Sequence, residues 1–265
     1  MRRGYLWIFV VGVGCGGAVA LAPDTAQPQP DSGADSGVDT RADTEEASAS
    51  DHMLHHFGTV AEARDAVIRG DVAGIVAPMG RLERGEYGIE IPQQWIIPLT
   101  ELQSAARRGM RAKTLREAGQ VVGMVSRQCG ECHGTFGRPA HIAETGAYAA
   151  RGQGVAEVMA RHKWAAEQMW LGLTTPSHEA WIRGSEAISE RWTPPAPAVD
   201  AGQADASVAA GSQATVDPSV QRLIGDVRAL GPQLREAQTS HARAKAYGYL
   251  IARCGACHVA SGVRF

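Results

Sequence analysis

The pattern C-x-x-C-H occurs twice in this chain of 265 residues. The first copy is Cys129, Cys132 and His133, within "QCGECHG". The second is Cys254, Cys257 and His258, within "RCGACHV". Two cysteines three positions apart lie on one helical turn. Each can form a thioether to one vinyl group of a porphyrin, and the histidine that follows falls under the iron. The pattern therefore reads as an attachment site for c-type haem, with His133 and His258 as proximal ligands. A zinc site built from both pairs would not need a histidine directly after each. A C-x-x-C redox pair would not explain the duplication. The chain has five cysteines, so these four leave no pair for a structural disulfide.

The second motif almost closes the chain, with only seven residues after His258. In the small class I cytochromes c the motif comes early and a methionine ligand follows far downstream. That arrangement is closed to the second haem here. Its distal side must come from upstream, and the motif belongs on the last helix of its domain.

Laying Cys129 on Cys254 is an offset of 125 residues, and Gly123 then falls on Gly248. Before the first motif, Thr114 and Glu117 form a capping-box pattern. Leu115, Ala118, Val122, Val125 and Cys129 then recur at helical spacing on one face. The corresponding face before the second motif holds Tyr247, Leu250 and Cys254. Further upstream a second match appears at an offset of 106. Met53, His56, Val60, Ala63 and Val67 form a stripe that Met159, His162, Ala166, Met169 and Leu173 repeat. At the same offset Asp71 matches Ser177, each a good N-cap for a following helix. Those helices cover "VAGIVAPMGRL" and "HEAWIRGSEAISER", and Pro78 is expected to kink or shorten the first. The difference between the offsets is taken up by the Pro/Ala/Gly/Ser-rich insertion 193–218. A third helix is expected near 98–110 and near 218–231. Each repeat thus has four helices, with the cysteines on the fourth.

Four helices with C-x-x-C-H near the end of the last one resembles the class II cytochromes c, typified by cytochrome c prime. The resemblance covers residues 51–138 and 153–265 and rests on motif position and helix count. It implies an all-α fold of two tandem four-helix bundles, with haem domains at 51–150 and 151–265. In that fold the first helix runs antiparallel to the fourth, so its start faces the haem. His56 and His162 then become distal ligands. Cytochrome c prime usually has an apolar distal side and binds small gases on five-coordinate iron. A histidine there favours six-coordinate, bis-histidine iron instead. His55 competes with His56, one residue off the stripe, and His52 also lies off it. Met53 and Met159 are expected to pack against the haem. His141, His178 and His241 have no match in the other copy and read as surface residues. Arg138 and Arg264 follow the motifs closely enough to pair with propionates. The family's habit of dimerising also implies a homodimer.

The N-terminus "MRRGYLWIFVVGVGCGG" joins Arg2 and Arg3 to a short apolar run, which reads as an export signal over residues 1–22. It is too short to span a bilayer. Cys15 closes the run and resembles the acylated cysteine of bacterial lipoproteins, though Gly12 stands where that family has leucine. The other reading is cleavage after Ala18–Ala20, which discards Cys15. Both export the protein, as haem c attachment in bacteria requires. Residues 23–50 carry almost no large apolar side chain and read as a disordered acidic linker. Within residues 1–50 three arginines face seven carboxylates.

Net charge is −2, with no basic surface that would advertise nucleic acid. The reading is a periplasmic dihaem electron carrier with two covalent haems and redox proteins as partners. It is held to a membrane through lipidated Cys15, and it is not an enzyme. The alternative is a cytochrome c prime-like protein that binds or senses NO or CO. A dihaem peroxidase would need an open iron site with acid–base groups beside it. Those enzymes resemble paired class I domains, which the late motif argues against.

Overall fold

The computed structural model describes residues 40–85, 91–136, 148, 154–190 and 218–262, with side chains from 51 onward. The export segment, Cys15, Arg138, His141, Arg264 and nearly all of the 193–218 insertion lie outside the described residues. Every regular element among the described residues is helical, as the periodicities require. The first half supplies α1 (Thr40–Arg69), α2 (Val76–Arg84), α3 (Ile96–Gly109) and α4 (Leu115–Phe136). The second supplies α5 (Val155–Thr174), α6 (His178–Ser189), α7 (Pro218–Arg228), α8 (Gly231–Glu236) and α9 (Ser240–Ala260). The described residues from 41 onward form one compact unit.

Helix starts are set by local chemistry. Thr114 and Glu117 close the expected capping box. The Glu117 amide donates to Thr114 Oγ1 at 3.2 Å, and the amides of Lys113 and Thr114 donate to the Glu117 carboxylate. Asp71 accepts from the Gly74 amide at 2.8 Å, and its repeat partner Ser177 accepts from Ala180. Pro78 is accommodated near the start of α2, where a helix can spare the amide that proline lacks. A turn of 3-10 helix, Ala73–Ile75, precedes it. The first helix begins at Thr40, upstream of the boundary drawn at 51. The sequence "TRADTEEASAS" explains this, because alanine, glutamate and arginine favour helix even with nothing apolar to bury.

The apolar stripes face inward. Val60, Ala63 and Val67 on α1, Val122 and Val125 on α4, and Met169 and Leu173 on α5 are buried together with Trp181 and Ile251. Burying each of the valine, leucine, isoleucine and methionine side chains stabilises the fold by about 1.5–3 kcal/mol before entropy is counted. Trp181 also donates its indole N–H to the Leu234 carbonyl at 2.8 Å, fixing α6 against α8.

The two motif helices pack on each other. α4 and α9 cross where Gly119 meets the Gly248 backbone and Gly123 meets the Ala244 carbonyl. A side chain at any of these glycines would run into the opposing backbone. The offset of 125 carries Gly119 onto Ala244 and Gly123 onto Gly248, so each contact is the image of the other. The repeat seen in the sequence is thus an approximate twofold relation at this crossing.

Candidate cofactor site

The second motif lies near the C-terminal end of α9, and the repeat explains what surrounds it. A cavity of about 530 Å³ is lined by Cys254, Cys257 and His258. His162, eight residues into α5, lines the same cavity. Met159 and Ala166, one turn to either side of it, do so too. Leu223, Ile224 and Val227 of α7 add an aliphatic wall. The sequence-predicted stripe on α5 therefore turns its histidine toward the cysteine-bearing face of α9. The volume falls within the ~300–1,000 Å³ typical of cofactor pockets.

His162 is 7% exposed. Burial, helped by the nearby Arg161 and Arg228, pushes its pKa down to about 4. The imidazole is held neutral, the form that offers a lone pair to a metal. Burial also pushes the Cys254 thiol up to about 12. The His258 ring is fixed from outside its own half of the chain. Its Nδ1–H donates to the Ile68 carbonyl of α1 at 2.7 Å. The tautomer follows from the acceptor, since a carbonyl can only accept. Nε2 is left as the basic nitrogen.

Polar groups gather in the same cavity. Arg64, Asp65 and Arg69 reach it from the last turns of α1, and Lys163 and Glu167 from α5. Arg64 pairs with Asp65 at 2.7 Å and lies over the Trp170 ring. Tyr247 is fully buried, and its hydroxyl has no hydrogen-bond partner among the described residues. Burial raises its pKa well above the ordinary phenol value. A buried hydroxyl left unpaired costs about 1–3 kcal/mol, so a polar group on a bound molecule would relieve it.

The first motif sits at the end of α4. Burial pushes the Cys129 thiol up to about 12 and lowers the pKa of His133. Cys132 borders a more open groove with Ile97, Pro98, Glu101 and Gln128. His56 is not among the residues that line that groove. It lies on α1 with its ring centroid 4.2 Å from that of His52, which is more deeply buried. Burial, then the neighbouring His52 and His55, push the His56 pKa down to about 4. His55 points to solvent. The turn that carries His56 is tied to the motif helix through Trp170. Phe57 stacks on the Trp170 ring at 4.4 Å, and the Trp170 indole N–H donates to Ser126 Oγ, one turn before Cys129, at 3.0 Å. His178 and His241 are exposed, and His178 hydrogen-bonds to Arg243.

Sequence reasoning singled out the cysteines and histidines but not the cross-half contacts around them. The Ile68 carbonyl, Arg64 and Trp170 carried no motif signature. The available signals were glycines: Gly255 lies inside the second motif against the Val67 carbonyl and Gly70, and Gly130 inside the first against the Leu173 carbonyl. Among the described residues no group of three or more His, Cys, Asp or Glu side chains is gathered as a metal cage. No helix among them is long and apolar enough to cross a membrane. Comparison with protein-family models, with curated proteins and with solved structures finds no match for this chain.

Proposed function

We propose that this protein is a dihaem c-type cytochrome that carries single electrons between redox proteins outside the cytoplasm. The observation that carries the reading is the shared cavity of Cys254, Cys257, His258 and His162. Haem c, when bound, supplies reversible one-electron chemistry whose potential depends on axial ligands, burial and hydrogen bonding. The chain's own residues fit that group. Two thiols one turn apart would tether it. His258 and His162 bring two imidazoles to one cavity, which is as many as a haem iron asks of a protein. The aliphatic residues of α7 limit water, and the unpaired Tyr247 hydroxyl suits a polar edge. The same roles pass by the repeat to Cys129, Cys132, His133 and His56.

Two neutral imidazoles would favour a carrier over a catalyst, because with both bound no iron position would be open to substrate or gas. In this reading each motif helix carries one haem within a class II-like helical bundle to which both halves of the chain contribute. The export segment and Cys15 tether the protein to a membrane, and Cys15→Ser should release it from the membrane fraction. The test is spectroscopic. Electron paramagnetic resonance of the oxidised protein should show low-spin signals only, and the ferrous form should not take up carbon monoxide rapidly. High-spin signals at both haems with rapid carbon monoxide binding would instead favour gas binding.

A further inference from the structure

The two motif histidines differ in one polar atom. His258 Nδ1 donates to the Ile68 carbonyl, whereas His133 Nδ1 is buried with no hydrogen-bond partner among the described residues. The internal repeat relates them. The offset of 125 carries His133 onto His258, and the offset of 106 carries Ile68 onto Thr174. The packing around them obeys the same two offsets. Gly255 of α9 lies against the Val67 carbonyl and Gly70, at the end of α1. Gly130 of α4 lies against the Leu173 carbonyl and Pro176, at the end of α5. Each contact is the image of the other.

Helix ends make this chemically sensible. The last carbonyls of a helix have no amide one turn ahead to accept from. Ile68 is the next-to-last residue of α1 and Thr174 the last of α5. Thr174 is buried and adjoins the Leu173 carbonyl that already touches Gly130. A buried unpaired N–H on His133 and a helix-end carbonyl beside its motif are complementary, and joining them removes a cost of desolvation.

We infer that each motif histidine is oriented by a helix-end carbonyl from the other half of the chain, His258 by Ile68 and His133 by Thr174. This rests on the haem reading and adds the source of each proximal hydrogen bond. Donation from Nδ1–H fixes the tautomer and makes Nε2 more basic toward iron. The positioning groups for each iron therefore belong to the first helix of the opposite repeat, and a change there moves the potential of the distant motif's haem.

Nuclear magnetic resonance of the reduced, uniformly labelled holoprotein tests this directly, with carbon monoxide added if the ferrous iron is high-spin. The His258 Hδ1 proton should show a nuclear Overhauser effect to the α-protons of Ile68 or Arg69. The His133 Hδ1 proton should show one to Thr174 or Thr175. Effects from His133 Hδ1 only to residues of its own half, with none to Thr174 or Thr175, or its rapid exchange with water, would overturn the inference. Gly70→Ala supplies a second readout. Gly70 has φ of 84°, and a side chain there would meet Val259 of α9. The variant should shift the midpoint potential of the second haem and leave the first unmoved, although residue 70 precedes the first motif. A shift confined to the first haem, or no shift, would contradict the assignment. A wild-type protein without covalent haem would instead remove the haem reading itself, and mass measurement separates that outcome from the others.

Discussion

His258 Nδ1 and the Ile68 carbonyl oxygen lie 2.7 Å apart although 190 residues separate them in the chain. The histidine of the second motif is thus held by the end of the first helix. The second half of the chain does not complete its own site. A fragment of residues 151–265 would lack α1, and it would expose the α9 face that Gly119 and Gly123 of α4 cover. Such a fragment is expected to show no cooperative thermal transition by circular dichroism. A sharp transition with full helical signal would show that the half folds alone.

The α4–α9 crossing gives a second expectation. A side chain at Gly248 would run into the Gly119 carbonyl oxygen and Gln120 Cα, both backbone atoms that cannot swing away. Overpacking of this kind typically costs about 1–3 kcal/mol. Gly248→Ala should therefore lower the stability of the holoprotein by about that amount in a denaturant titration. Gly225→Ala is the control. Nothing lies within 4 Å of a side chain at Gly225 in α7. Replacing glycine inside a helix there should be neutral, or stabilise by up to about 1 kcal/mol.

The cavity of the second motif gives a third. His162→Ala removes one of its two imidazoles and leaves Cys254, Cys257 and His258 in place. Half of the haem signal in electron paramagnetic resonance should turn high-spin, and one equivalent of carbon monoxide should then bind the ferrous protein. An unchanged low-spin spectrum would mean that another side chain serves the distal position. Met159 lines the cavity one turn away and would be the first to examine.

The parts of this fold that were legible in the sequence are local ones. Thr114 with Glu117, and Asp71 with Ser177, announce helix starts because a side-chain oxygen within three residues satisfies a free amide. The stripes through Val60 and Met169 announce buried faces because helical period and apolar character coincide. The pairing of His162 with the second motif was legible through the repeat. The contact of each first helix with the opposite motif helix was not. It is made by the carbonyls of Val67, Ile68 and Leu173, and every residue has a carbonyl. Glycines 130 and 255 are the only side of that contact with a sequence signature, and within a C-x-x-C-H motif they read as spacers. The start of α1 at Thr40 was missed for the opposite reason, because a polar helix without an apolar stripe looks like linker.

On the proposed reading each of the two C-x-x-C-H motifs carries a covalent haem. Mass spectrometry of the mature protein, after acid extraction of any non-covalent haem, tests it most directly. The mass should exceed that of the processed polypeptide by two haems, and peptides containing Cys129–Cys132 and Cys254–Cys257 should each carry one. A mass with one haem or none, or free thiols at all four cysteines, would contradict the account.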